Sequence, residues 1–134
     1  MISIFIMYIG PLYFDTKKVF GKYPEIKLVY FFGSRAEGKA GPMSDYDFAV
    51  YFDEKTPKQR RFNIALELNG TLTSLLKTNQ VDIVILNDDV GSLLKYQAIR
   101  GKLIYNVEPY KIIAEPQILN EYFDFQVFSR HHNL

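Results

Sequence analysis

Cysteine is absent from the 134-residue chain. That excludes disulfides, thiolate metal sites and a cysteine nucleophile, and it fits a reducing cytoplasm, the expected location. A surplus of charge is lacking too: 16 basic against 15 acidic residues leave a formal charge of +1. Overall electrostatics therefore give no reason to expect nucleic acid or an acidic membrane as a direct partner. The apolar opening, residues 1–14, has no basic n-region and no small-residue cleavage site. Pro11 and Asp15 interrupt it well short of the roughly 20 residues that a spanning helix needs. Two readings stand for residues 1–10: an apolar extension that is buried or covered by a partner, or an extension upstream of a start at Met7.

What is present is enough for one core. With 48% hydrophobic residues, a single α/β domain over residues 1–134 is expected, a small mixed β-sheet packed with helices. Residues 11–22 are compatible with a short helix whose core positions are Leu12, Val19 and Phe20, with Gly21 near its end. Residues 26–32 read as a central strand buried on both faces, and residues 45–52 as a second strand. Thr56, Pro57 and Gln59 form a capping-box start for a helix to about Lys77, with Phe62, Ala65, Leu66, Leu72, Leu75 and Leu76 on its core face and Lys58, Arg60 and Arg61 solvated. Residues 80–86 read as a strand. Asn87, Asp88 and Asp89 offer a cap for a helix to about Arg100, stopped by Gly101. Residues 102–107 read as an edge strand and 109–115 as a connection. Residues 116–129 can form a last helix with Leu119, Tyr122, Phe123 and Phe125 toward the core or a partner, and 131–134, with His131 and His132, read as a flexible tail.

The chemistry concentrates between the first two strands. Residues 33–44 hold three glycines and a proline, too many breakers for a regular element, so the connection must turn sharply. Gly33 permits close approach of backbone amides, the Ser34 hydroxyl donates hydrogen bonds, and successive N–H groups in such a turn make an anion-binding nest suited to a triphosphate. Asp45 and Asp47 follow, two residues apart and hence on one side of a strand. A third carboxylate, Asp82, interrupts an otherwise apolar strand, where it must be paired, coordinated or open to a cleft. Aspartates suit magnesium, and two such ions neutralise phosphates and align nucleophile with leaving group. Arg35 and Lys39 are phosphate donors or plain solvated loop charges. Tyr46 lines the cleft or faces the core.

Gly33-Ser34, ten intervening residues, then Asp45-Tyr46-Asp47 resembles the motif of the nucleotidyltransferase superfamily related to DNA polymerase beta. FGSRAEG at residues 32–38, SDYDFAVYFD at 44–53, ALEL at 65–68, VDIVILN at 81–87 and LLKYQAIRGKLIYN at 93–106 extend the resemblance to its minimal nucleotidyltransferase (MNT) branch, the antitoxins of HEPN-family ribonuclease toxins. The resemblance implies that Asp45, Asp47 and Asp82 are catalytic metal ligands, that Asp82 accepts the acceptor's proton, and that Gly33, Ser34, Arg35 and Ser44 bind the nucleotide. It implies two Mg2+ ions, ATP as substrate, and transfer of AMP to a tyrosine of a HEPN toxin, in a homo- or hetero-oligomer. The short chain has no room for a nucleic-acid or aminoglycoside domain, which favours a protein acceptor. The alternatives are a non-catalytic antitoxin that acts by occlusion and a small-molecule nucleotidyltransferase.

Overall fold

The runs IKLVYFF and YDFAVYF carry so few polar side chains that they are stable only in a sheet covered on both sides. In the computed structural model, which describes residues 6–9, 12–39, 41 and 44–132 (6–9 and 12–14 as backbone alone), they are the two inner strands. The elements run β1 (Ile6–Ile9), β2 (Leu12–Asp15), α1 (Thr16–Phe20), β3 (Ile26–Phe32), β4 (Tyr46–Phe52), α2 (Lys58–Leu76), β5 (Val81–Ile85), α3 (Ser92–Ile99), β6 (Lys102–Asn106) and α4 (Tyr110–His132). The main sheet has the order β5-β4-β3-β6. β3 is antiparallel to β4 and β6, and β4 is parallel to β5, so the sheet is mixed as expected.

Alternation along the inner strands divides the core in two. Val29, Phe31, Phe48, Val50 and Phe52 pack against Phe20 and against Ile64, Leu68, Leu72 and Leu76 of α2. Leu28, Tyr30, Phe32, Ala49 and Tyr51 face the other way, against Ala98 after α3's first turns and Ala114 and Ile118 of α4. Both faces of the sheet are therefore core. Tyr30 fastens α4 to the sheet: its hydroxyl donates to the Glu115 carboxylate, and burial together with that carboxylate pushes the phenol well above its ordinary range.

Several expectations are corrected. The expected helix over 11–22 is only α1; residues 12–15 form β2, which pairs with β1 in an antiparallel hairpin, while Pro11 lies outside the described residues. No capping box forms at α2. Its N-cap is Pro57, without a side-chain hydrogen bond, and Gln59 bonds Asn63 instead. The core face of α2 is the row Ile64-Leu68-Leu72-Leu76, whereas Phe62, Leu66 and Leu75 are 52%, 58% and 38% exposed. The helix carries apolar residues on more than one row, and its seat on the sheet selects the unbroken i, i+4 row. Arg61 is not solvated: its Nη2 meets Asp88 Oδ1 at 2.6 Å and its Nη1 donates to the Thr56 carbonyl at 2.8 Å.

Two of the expected cap residues of α3, Asn87 and Asp88, are likewise engaged elsewhere, and its N-cap is Gly91. Asn87 acts as an extra rung beyond β5, accepting from Phe52 N at 2.8 Å and donating to Phe52 O at 2.9 Å. The expected connection over 109–115 is instead the first turns of α4, with Pro116 inside the helix and His131 and His132 at its end. At 23 residues, α4 is about 35 Å long and overhangs the sheet. Tyr122 still packs inward, but Phe123, Phe125, Val127 and Phe128 are about half exposed. No helix among the described residues is long and apolar enough to cross a membrane.

Replacing Asn87 by alanine strands two backbone groups of the fully buried Phe52. The expected cost is about 2 kcal/mol in urea denaturation. Asn87→Asp, which keeps the acceptor but turns a carboxylate oxygen toward a carbonyl, is expected to cost more.

Candidate active site

Two strand registers and one turn converge where β3 ends. Gly33 leaves the strand at φ +86°, a conformation that side-chain-bearing residues rarely adopt. The chain then turns at once: Glu37 N donates to Gly33 O, Gly38 N to Arg35 O, and Lys39 N to Ser34 O at 2.9 Å. The antiparallel pairing of Phe32 with Asp47 places the Asp47 carboxylate against this turn. A Cβ built on Gly33 would stand 2.3 Å from Asp47 Oδ2. The glycine thus serves both the backbone turn and the carboxylate behind it. The parallel pairing of Asp47 with Asp82 adds the second carboxylate on the same face, one strand spacing away, about 4.8 Å.

Two carboxylates so placed cannot both ionise without cost. Asp47 is raised from 3.8 to about 6, first by burial, then by the charges of Asp82 and Asp45. Asp82 and Asp45 are themselves exposed. The anionic field therefore falls on the one carboxylate that water screens least. Hard oxygen donors that repel one another fit a divalent cation such as magnesium. Among the described residues the carboxylates do not form a closed cage of three metal-ligating side chains, so it is the donor chemistry and the crowding of charge that fit a cation.

A cleft of about 790 Å³ opens beside these groups. Of the residues singled out from the sequence, Gly33, Ser34, Asp47 and Asp82 line it, while Asp45, Arg35 and Ser44 do not. Arg35 and Ser44 instead brace the loop. Arg35 Nε donates to the Ser44 carbonyl at 2.8 Å, its guanidinium lies 4.1 Å from the centroid of the Tyr46 ring, and Gly41 N donates to Ser44 Oγ at 3.1 Å. Tyr46 is buried in the core. The far wall lies outside the residues that the motif singles out: Val84 of β5 together with Leu93, Tyr96, Gln97 and Arg100 from α3 and its C-cap. Its signal in the sequence was the three- and four-residue spacing of these positions before Gly101.

Two substitutions are expected to act in opposite directions. Gly33→Ala meets both the positive φ and the Asp47 carboxylate, and a loss of about 1–3 kcal/mol is expected in chemical denaturation. Asp47→Asn is expected to stabilise the metal-free protein at pH 7.5 by on the order of 1 kcal/mol, already discounted for solvent screening, or about 2–4 °C in Tm. Since the folded-state value is raised, the native protein binds the extra proton between about pH 4 and 6. Its stability therefore falls as pH rises through that window, and the gain from asparagine should vanish near pH 4. Melting curves of both proteins across pH check it.

Residues 15–110 match the family described as polymerase beta, nucleotidyltransferase. Over 94 residues the chain is 34% identical to the protein adenylyltransferase MntA of Aphanizomenon flos-aquae, covering 63% of this chain and 59% of that protein. The chain thus spans about three fifths of the length of that curated relative. Among solved structures, a chain of a toxin–antitoxin crystallised with AMP-PNP is similar at a TM-score of 0.67 and 24% identity, over 85% of this chain and 89% of that one. A chain of the complex of tri-AMPylated Shewanella oneidensis HEPN toxin with MNT antitoxin is similar at 0.60 and 22%, over 85% and 86%. These structural likenesses bear on the fold, and the family match spans more than half the sequence: the chain belongs to the polymerase beta nucleotidyltransferase family.

Proposed function

We propose that this protein transfers AMP from ATP to a tyrosine hydroxyl of a partner HEPN-type ribonuclease and so neutralises it. The observation that carries the proposal is the register that sets Asp47 beside Asp82 and against Gly33, at the mouth of a cleft lined by Ser34. The relative named protein adenylyltransferase supports the kind of acceptor, and the likeness to a toxin–antitoxin with AMP-PNP supports the nucleotide.

In this proposal the amides and hydroxyl of Gly33 and Ser34 receive the triphosphate. Asp45, Asp47 and Asp82 would hold two magnesium ions, which when bound supply Lewis-acid polarisation of the phosphate and acceptor oxygens. A neutral tyrosine hydroxyl, with a pKa near 10, is a weak nucleophile. In the proposed reaction Asp82, which is exposed and lines the cleft, takes its proton. The phenolic oxygen then bonds to the α-phosphorus, the bond from that phosphorus to the bridging oxygen breaks, and pyrophosphate leaves. Arg35 and Ser44 serve the nucleotide indirectly, by holding the loop from Gly33 in shape.

Incubation with α-labelled ATP, magnesium and the HEPN-type partner should place label on a partner tyrosine. Asp45→Asn combined with Asp47→Asn should lower that transfer roughly a thousandfold, the scale of several kcal/mol of lost charge stabilisation. A double variant that still neutralises the ribonuclease as the parent does would point to occlusion. Pyrophosphate release with an aminoglycoside and no protein acceptor would point to a small-molecule enzyme.

A further inference from the structure

Leu93, Tyr96, Gln97 and Arg100 recur at three- and four-residue steps, so α3 and its C-cap present them on one side, and all four line the cleft. This wall grades from apolar at Leu93 to cationic at Arg100. The cationic end is the one beside the loop of Gly33 and Ser34. Gly101, the next residue, lies so close to β3 that a Cβ on it would stand 2.6 Å from Phe31 O and 2.6 Å from Phe32 Cβ, and Phe32 leads directly into Gly33. Arg100 is therefore placed by backbone packing, not by a salt bridge of its own.

Arg100 is exposed, and its guanidinium meets no carboxylate in an ion pair among the described residues. It lies over the ring of Tyr96, 5.6 Å from the centroid, and Tyr96 is itself stacked on Tyr122 of α4 at 3.8 Å and 3°. The lining includes three carboxylates, Glu37, Asp47 and Asp82, against two cations, Arg100 and Lys102. Lys102 is directly opposite Phe31, whose side chain belongs to the α2 side of the sheet, and opposed residues share a face. Arg100 is thus the cation that α3 and its C-cap bring to the cleft that Asp47 and Asp82 also line.

We propose that Arg100 is a nucleotide-binding residue whose guanidinium takes oxygens of the polyphosphate, with Tyr96 as the platform that positions it. The proposal rests on the nucleotide reading above. A polyphosphate entering this cleft meets carboxylates on one wall, and a planar guanidinium that can engage two phosphate oxygens together offsets that repulsion from the other. Lysine keeps the charge but not the fork.

The test is binding of AMP-PNP with magnesium by calorimetry, and of adenosine by NMR titration, to the parent, Arg100→Ala and Arg100→Lys proteins. Expected is a loss of tenfold or more for AMP-PNP in Arg100→Ala and a smaller loss in Arg100→Lys, with adenosine affinity within twofold of the parent in both. Unchanged AMP-PNP affinity in Arg100→Ala, or a parallel loss of AMP-PNP and adenosine, would overturn the phosphate role while leaving the nucleotide reading intact. A parent protein that binds neither ligand would overturn the nucleotide reading, and this assignment with it.

Discussion

Everything at the site depends on one strand register. β4 runs parallel to β5 so that Asp47 and Asp82 are neighbours, and antiparallel to β3 so that Asp47 meets the residue where β3 ends. A slip of one residue would send Asp47 to the α2 side of the sheet. The register is held by burial: Phe48, Ala49, Val50 and Phe52 are all without solvent contact, and no shifted pairing would bury the same set against the same helices. The core thus sets a pair of repelling carboxylates in place, and their mutual cost is offset by cooperative packing elsewhere along the same strands. A site preorganised against its own electrostatics suits an ion or ligand that supplies the missing charge.

The layers on either side have unequal roles. α2 lies against the sheet face away from the cleft and anchors it with one long apolar row. α3 and α4 cover the other face only in part, and the part left open is the cleft. Tyr30, bonded to Glu115, ties α4 to the strand next to the site. The stacked pair Tyr96 and Tyr122 ties α3 to α4. The cleft wall is therefore backed by a second helix whose outer turns carry exposed aromatic residues.

Much of this was legible in the sequence because local chemistry and tertiary demand agree. The bounds of β3 were read to the residue, since an uninterrupted β-forming run followed by glycine has few other solutions. The sharp loop after Gly33 followed from its breakers, and Asp82 stood out as the one charge in an apolar strand, but only the parallel register of β4 and β5 sets it beside Asp47. The misreadings fall where two physical signals compete. Thr56 and Gln59 look like a capping box, but Arg61 reaches back to the Thr56 carbonyl and the helix starts without it. Asn87 has the chemistry of a cap, yet two backbone groups of Phe52 claim it. Pro116 reads as a helix start, while at an exposed position it is tolerated within one. The spacing of Leu93, Tyr96, Gln97 and Arg100 marks one side of a helix, but only the tertiary fold brings the end of α3 beside β3 and so makes that side a wall of the cleft.

β5 is one of the two outer strands of the main sheet, with no further strand paired to it among the described residues, and a short segment such as VDIVI at an edge is prone to pair with a strand of another chain. Its one exposed carboxylate is Asp82. A charge on an edge strand blocks such strand addition, since a docking strand would have to desolvate it. On the proposed function, the carboxylate at position 82 thus serves both the nucleotide site and the open edge of the sheet, and solubility and activity would constrain it in the same direction.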